Sequence, residues 1–67
     1  MKLVAELVTD DTFIIKEPHY DIRLCSLSFT NDMVERLANY GLDTQKMASR
    51  IAEKIEYEFY NAEYRPQ

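Results

Sequence analysis

Few residues in this 67-residue chain have the type and spacing for covalent chemistry. The one histidine, His19, sits in the run Glu17-Pro18-His19-Tyr20-Asp21. As a general base it would need a nucleophile, and Ser26 or Ser28 would have to approach it. As a metal ligand it has no partner histidine or cysteine at useful spacing. Cys25 is the one cysteine, so no internal disulfide can form. Its place in a β-rich run predicts a small buried hydrophobe. No catalytic, metal or nucleotide signature stands in the chain. The expectation is a protein that is not an enzyme and holds no metal or cofactor.

Two other groups of side chains have chemistry suited to recognition. The first is aromatic. Tyr57, Tyr60 and Tyr64 recur at helical spacing, within about 60° of one another at about 100° per residue. They lie opposite a second stripe, Ala48, Ile51, Ala52, Ile55, Phe59 and Ala62. That stripe spans roughly 100°, the width of an ordinary core-facing surface. A small domain has one core to cover. The tyrosine flank, which Lys46, Arg50 and Glu53 share, is therefore expected to meet another chain. Tyrosine is enriched in interface hot spots.

The second group is acidic. The net charge is −4, and residues 1–35 carry seven acids against three bases, whereas residues 36–67 carry five of each. Asp10 and Asp11 are predicted at a hairpin tip. Glu17, Asp21 and Asp32 are predicted near the sheet end that leads into the first helix. Carboxylates so placed would steer the chain towards a basic protein surface and away from nucleic acid.

Periodicity gives the elements that must position these groups. Residues 2–9 alternate as a strand, with Leu3, Ala5 and Leu7 on one face. Residues 12–17 form a second β-rich run, and Asp10-Asp11 between them suits a tight hairpin because Asp tolerates positive φ. Pro18 breaks the second strand. Residues 21–28 form a third, whose apolar alternation slips by one around Cys25-Ser26, so a bulge is expected there. Thr30 suits an N-cap for a helix over 31–40, with Asp32 and Glu35 at its positive end. Met33, Val34, Leu37 and Ala38 make its apolar stripe, and Met33 and Met47 are expected in the core. Gly41, the only glycine, is placed to end that helix in the left-handed conformation, with Leu42 packing back. Asp43 then caps a second helix over 44–64, which Arg65-Pro66-Gln67 ends. Three consecutive strands pair most simply as a meander.

The expected fold is therefore α+β and β-β-β-α-α. A three-stranded antiparallel meander is followed by a helix-turn-helix pair packed on one face, within one small domain over 1–67. A globule of this length has a radius of gyration near 11 Å, and the second helix alone spans about 30 Å, so its last turn is expected to overhang. The open sheet face, with Val4, Val8 and Ile14, is a second expected docking place.

Length and composition bound the function. Nearly half the residues are apolar and Gly and Pro are scarce, which argues against a disordered chain. A domain this small buries only about 60% of its unfolded surface. Self-association, with a dimer favoured, is thus expected as a further source of stability. No signal-peptide pattern and no run of about 20 apolar residues is present, so a cytoplasmic protein without a membrane segment is expected. In size, acidity and aromatic content the chain matches small viral modulators of host proteins. The expected function is a non-enzymatic protein-binding module, a modulator or inhibitor that occupies a surface of a larger target. Tyr57, Tyr60, Tyr64, Arg50, Glu53, Asp10 and Asp11 are its expected partner-binding residues. The alternative is a DNA-binding regulator using residues 37–51 as a degenerate helix-turn-helix. Leu37 stands there where a small residue belongs, Arg50 where an apolar one does, and a basic footprint is missing.

Overall fold

Alternating and helical periodicities are realised in the order they take along the chain. The computed structural model describes residues 2–64. Strands β1 (Val4–Thr9), β2 (Thr12–Glu17) and β3 (Ile22–Ser28) are followed by helices α1 (Asn31–Asn39) and α2 (Thr44–Tyr64). The sheet is an antiparallel meander in the order β1-β2-β3, as the α+β reading expects. The Arg65-Pro66-Gln67 run lies outside the described residues.

Both strand pairings contain one extra residue. Asp10-Asp11 joins β1 to β2, but neither residue takes the positive φ that a primed hairpin turn needs. The register instead shifts between Leu7 and Thr9, leaving Val8 as the extra residue. A bulge there adds the local twist the turn lacks. In the second pairing Ile15 faces Cys25 and Lys16 faces Arg23, so Leu24 is the extra residue. The expected slip in β3 is present, one residue earlier than the Cys25-Ser26 position the alternation suggests.

The core lies between one sheet face and α2. Leu3, Phe13 and Ile15 share that face, and Ala48 and Ala52 of α2 are buried with them. Leu3, Ile15 and Ala52 pack together, with Ala5, Leu27 and Ile55 around them. Phe13 also meets Phe29 edge-on, with ring centroids 6.0 Å apart. Two alanines one turn apart let the helix backbone come close to the strands. Two polar ties fix the two ends of this helix–sheet contact. The Thr44 hydroxyl donates to the Asp11 carboxylate at 2.9 Å, and Glu56 accepts the Leu3 N–H at 2.5 Å. The helix thus runs antiparallel to β1, from the hairpin tip back to the start of the strand.

The corner between the helices forms as its residues require. The Thr30 hydroxyl accepts the Met33 N–H at 3.2 Å. Gly41 sits at φ 71°, and the Leu42 N–H reaches the Leu37 carbonyl at 2.9 Å while the Gly41 N–H reaches Ala38 at 3.0 Å. These two bonds make a Schellman ending. Asp43 then accepts the Lys46 N–H at 2.7 Å and caps α2.

The helical layer covers less than the periodicity implies. α2 lies along β1 and leaves the β3 side of the sheet bare. Cys25 is consequently exposed, not a buried hydrophobe. α1 buries only Leu37, so Met33 is exposed and Met47 only half-buried. The molecule measures 42 × 25 × 15 Å with a radius of gyration of 13.5 Å, longer and flatter than a globule of this length.

Two substitutions test this arrangement. Phe13→Ala removes a fully buried ring and is expected to cost about 3–5 kcal/mol in urea unfolding, most of the stability of a domain this small. Nothing lies within 4 Å of a side-chain carbon placed on Gly41. The cost of Gly41→Ala is thus conformational, about 1–2 kcal/mol, and Gly41→Asn is expected to cost less.

Candidate protein interface

A strand of six residues is about 20 Å long, whereas the 21 residues of α2 rise about 31 Å. The surplus emerges at the C-terminal end. Glu56 is level with Leu3 at the start of β1, and residues 57–64 continue about 12 Å past it. All three tyrosines lie on this projection. Tyr57 is 58% exposed, Tyr60 62% and Tyr64 69%. The Tyr60 and Tyr64 rings lean on each other with centroids 4.8 Å apart. The Lys54 ammonium sits 5.2 Å from the Tyr57 centroid while pairing with Glu58 at 3.0 Å.

The core-facing stripe runs off the sheet as well. Ala48 and Ala52 are buried and Ile55 is half-buried. Phe59 is 44% exposed, and Ala62 is exposed too. Ile55, Phe59 and Ala62, with the stems of Lys54 and Glu58, line an apolar depression on this second flank. The projecting end is therefore apolar on the Phe59 flank and aromatic with interspersed glutamates on the other. Sequence periodicity assigned Phe59 and Ala62 to the domain's own core. The signal against that assignment was the helix outlasting its strands.

The expected recognition residues do not form one site. Arg50 and Glu53 are exposed on the tyrosine flank of α2. Asp10 and Asp11 lie at the other end of the molecule, beside the start of α2. Asp10 is exposed, but Asp11 is engaged internally. Its side chain holds Thr44 and its carbonyl accepts the Phe29 N–H at 3.0 Å.

The other carboxylates are also separated, in contrast to the expected cluster. Glu17 folds into the β2–β3 turn and accepts the N–H groups of His19 and Tyr20 at 2.8 and 2.6 Å. Asp32 is at the opposite sheet end and pairs with Arg36 at 3.1 Å. His19 stacks edge-on against Tyr20, at the far end of β3 from Ser28, whose hydroxyl is bonded to Thr12 at 2.9 Å. The open sheet face mixes half-buried Val4 and Ile14 with Glu6, Lys16 and the two hydroxyls. Among the described residues, no three His, Cys, Asp or Glu side chains converge as metal ligands. No described helix is long and apolar enough to cross a membrane.

Lys16 organises the turn, a role that sequence reasoning missed. Only 19% of its side chain is exposed, and its ammonium bridges Glu6 at 2.9 Å and Asp21 at 2.7 Å. Asp21 adopts φ 55°, a conformation Asp tolerates. The Lys16 hydrogen bond, then its charge, holds the Asp21 carboxyl below the ordinary value. Hydrogen bonds to Asp21 and then Glu6 raise Lys16 against a smaller opposing effect of burial.

On the acid side the pair stabilises the fold above the ordinary carboxylate range, and its contribution fades as pH falls through the lowered Asp21 value. On the alkaline side the contribution is complete below the ordinary lysine value and fades as pH rises through the raised Lys16 value. A carboxyl-detected NMR titration is expected to place the Asp21 midpoint below 3.8, returning to the ordinary range in Lys16→Met. An identical midpoint in both proteins would show that the ion pair does not hold in solution.

Comparison of the chain with protein-family models, with curated proteins and with solved structures finds no match.

Proposed function

We propose that this chain is a non-enzymatic protein-binding module that docks the projecting end of α2 onto a protein partner and acts by occupying that surface. One observation supports this reading above the others. Tyr57, Tyr60 and Tyr64 are all more than half exposed on a helix that has left its own sheet behind. A tyrosine ring buries about 150–250 Å² when covered. At the observed exposures the three present about 300–400 Å², in the range of functional patches on monomers. Their spacing is that of anchors on a helix entering a groove. Phe59 extends the apolar surface to the second flank.

The charge pattern supports a protein partner over nucleic acid. α2 between Glu53 and Tyr64 holds Glu53, Glu56, Glu58 and Glu63 against Lys54 alone. Such a surface repels phosphate backbones and suits a protein surface carrying bases.

The test is affinity capture with two baits matched in helicity by circular dichroism. Wild-type protein is expected to retain a protein partner that Tyr57→Ala/Tyr60→Ala loses, with at least about a tenfold fall in affinity for the removal of two anchors. Equal retention by both baits, or retention by neither of any protein, a second copy of this chain included, would reject the docking role of this helix end.

A further inference from the structure

The charge on α2 is the reverse of what the helix itself favours. A helix is stabilised by acids in its first turn and bases in its last. α2 has no acid in its first turn and no base in its last. Lys46 and Arg50 stand in its first two turns, and Glu56, Glu58 and Glu63 in its last three. Within the folded protomer the Asp43 carboxylate, which accepts the Lys46 N–H at 2.7 Å, offsets part of this inversion at the first turn, but among the described residues no acid pairs with the Lys46 ammonium or the Arg50 guanidinium, which are both exposed. A second helix laid alongside in the opposite direction would offset it. Its positive end and its bases would lie beside the acids, at both ends of the pair.

The side chains that would meet also have the right spacing. Lys46, Arg50, Glu53, Tyr57, Tyr60 and Tyr64 are separated by alternating steps of four and three. That is the spacing of the seam positions of a two-stranded coiled coil, here charged in the first half and aromatic in the second, and every member is exposed. From this we infer that the tyrosine flank is covered by a second copy of this chain, paired antiparallel along α2. This deepens the protein-binding reading, on which it rests, by naming the occupant of one flank.

Centred at the level of Ile55, the pairing sets Lys46 against Tyr64 of the second copy, Arg50 against Tyr60 and Glu53 against Tyr57. Each is a complementary meeting. An ammonium or guanidinium over a phenol ring is a cation–π contact, and Lys54 already approaches Tyr57 in this way within one chain. A phenol O–H donates to a carboxylate. The rings contribute about 300–400 Å² per copy at their observed exposure. With the stems of Lys46 and Arg50 the two copies together bury about 1,000 Å², the lower bound of a specific interface.

Two other arrangements of copies are disfavoured by the same charges. Parallel helices would stack acid on acid. A pairing through Ile55, Phe59 and Ala62 would bring the two acidic ends together. In the antiparallel pair, by contrast, the Phe59 flank stays open on each outer side for a further protein.

Sedimentation equilibrium provides the test. The wild type is expected to dimerise, more weakly as salt rises because exposed charges are screened. Tyr57→Ala/Tyr60→Ala and Lys46→Glu/Arg50→Glu are each expected to raise the dissociation constant at least about tenfold. The second variant leaves every tyrosine in place. Orientation is read by cross-linking in a Cys25→Ser background. Lys46→Cys mixed with Tyr64→Cys is expected to give disulfide-linked heterodimer, and little dimer of either alone. A wild-type monomer at the highest soluble concentration would overturn the inference. So would full dimerisation of Lys46→Glu/Arg50→Glu, or cross-linked homodimers of each single variant. A monomer that still captures another protein through its tyrosines would sink the second copy and leave the docking role standing. Loss of both would sink the two together.

Discussion

The close seat of α2 on the sheet is the interaction on which the remaining structure depends. Ala48 and Ala52 have little side chain, so the helix backbone comes near to Leu3 and Ile15 and water is excluded from a very small core. Bulkier residues would lift the helix and open voids that a chain of this length could not tolerate. Close seating also demands alignment. Thr44 on Asp11 and Glu56 on Leu3 supply it at the two ends of the contact. Once the helix is pinned at those levels, its direction, its offset from β3 and the length that emerges beyond β1 are all determined.

Much of this was legible in the chain because it rests on local rules. The order of elements follows from alternation in the first 28 residues and helical spacing after Thr30. The corner at Asn39–Asp43 is local in the same sense, since one glycine and two capping side chains define it. What was not legible is non-local. Cys25, Met33, Phe59 and Ala62 all have apolar spacing, and periodicity assigns such residues to a core without knowing where the core stops. The helix lies over β1 and leaves the β3 side open, so Cys25 faces solvent. α1 touches the body through little beyond Leu37, so Met33 does as well. The strands end before the helix does, so Phe59 and Ala62 outrun their cover.

The acidic half of the chain shows the same division between composition and arrangement. The excess of carboxylates suggested a surface charged for steering. In the fold, Asp11, Glu17 and Asp21 are each occupied with holding the chain's own turns and helix start. Asp32 stabilises the first turn of α1 and pairs with Arg36. The part of α2 from Glu53 on is acidic too, although Glu56 is tied to Leu3 and Glu58 to Lys54, and its balance looked neutral when averaged with the bases upstream. Net charge over half a sequence therefore described this molecule poorly. The sign of the charge along one helix describes it better.

The irregularity at Leu24 has a bearing on solubility. β3 is an outer strand with Ile22 and Leu24 facing water, a margin onto which foreign β-chains could add. The extra residue there bends the strand and breaks the even row of free amides and carbonyls that such addition copies. Arg23 beside it sets a charge in the same stretch. The kink thus serves as a guard against ribbon growth along the β3 margin, which no helix shelters.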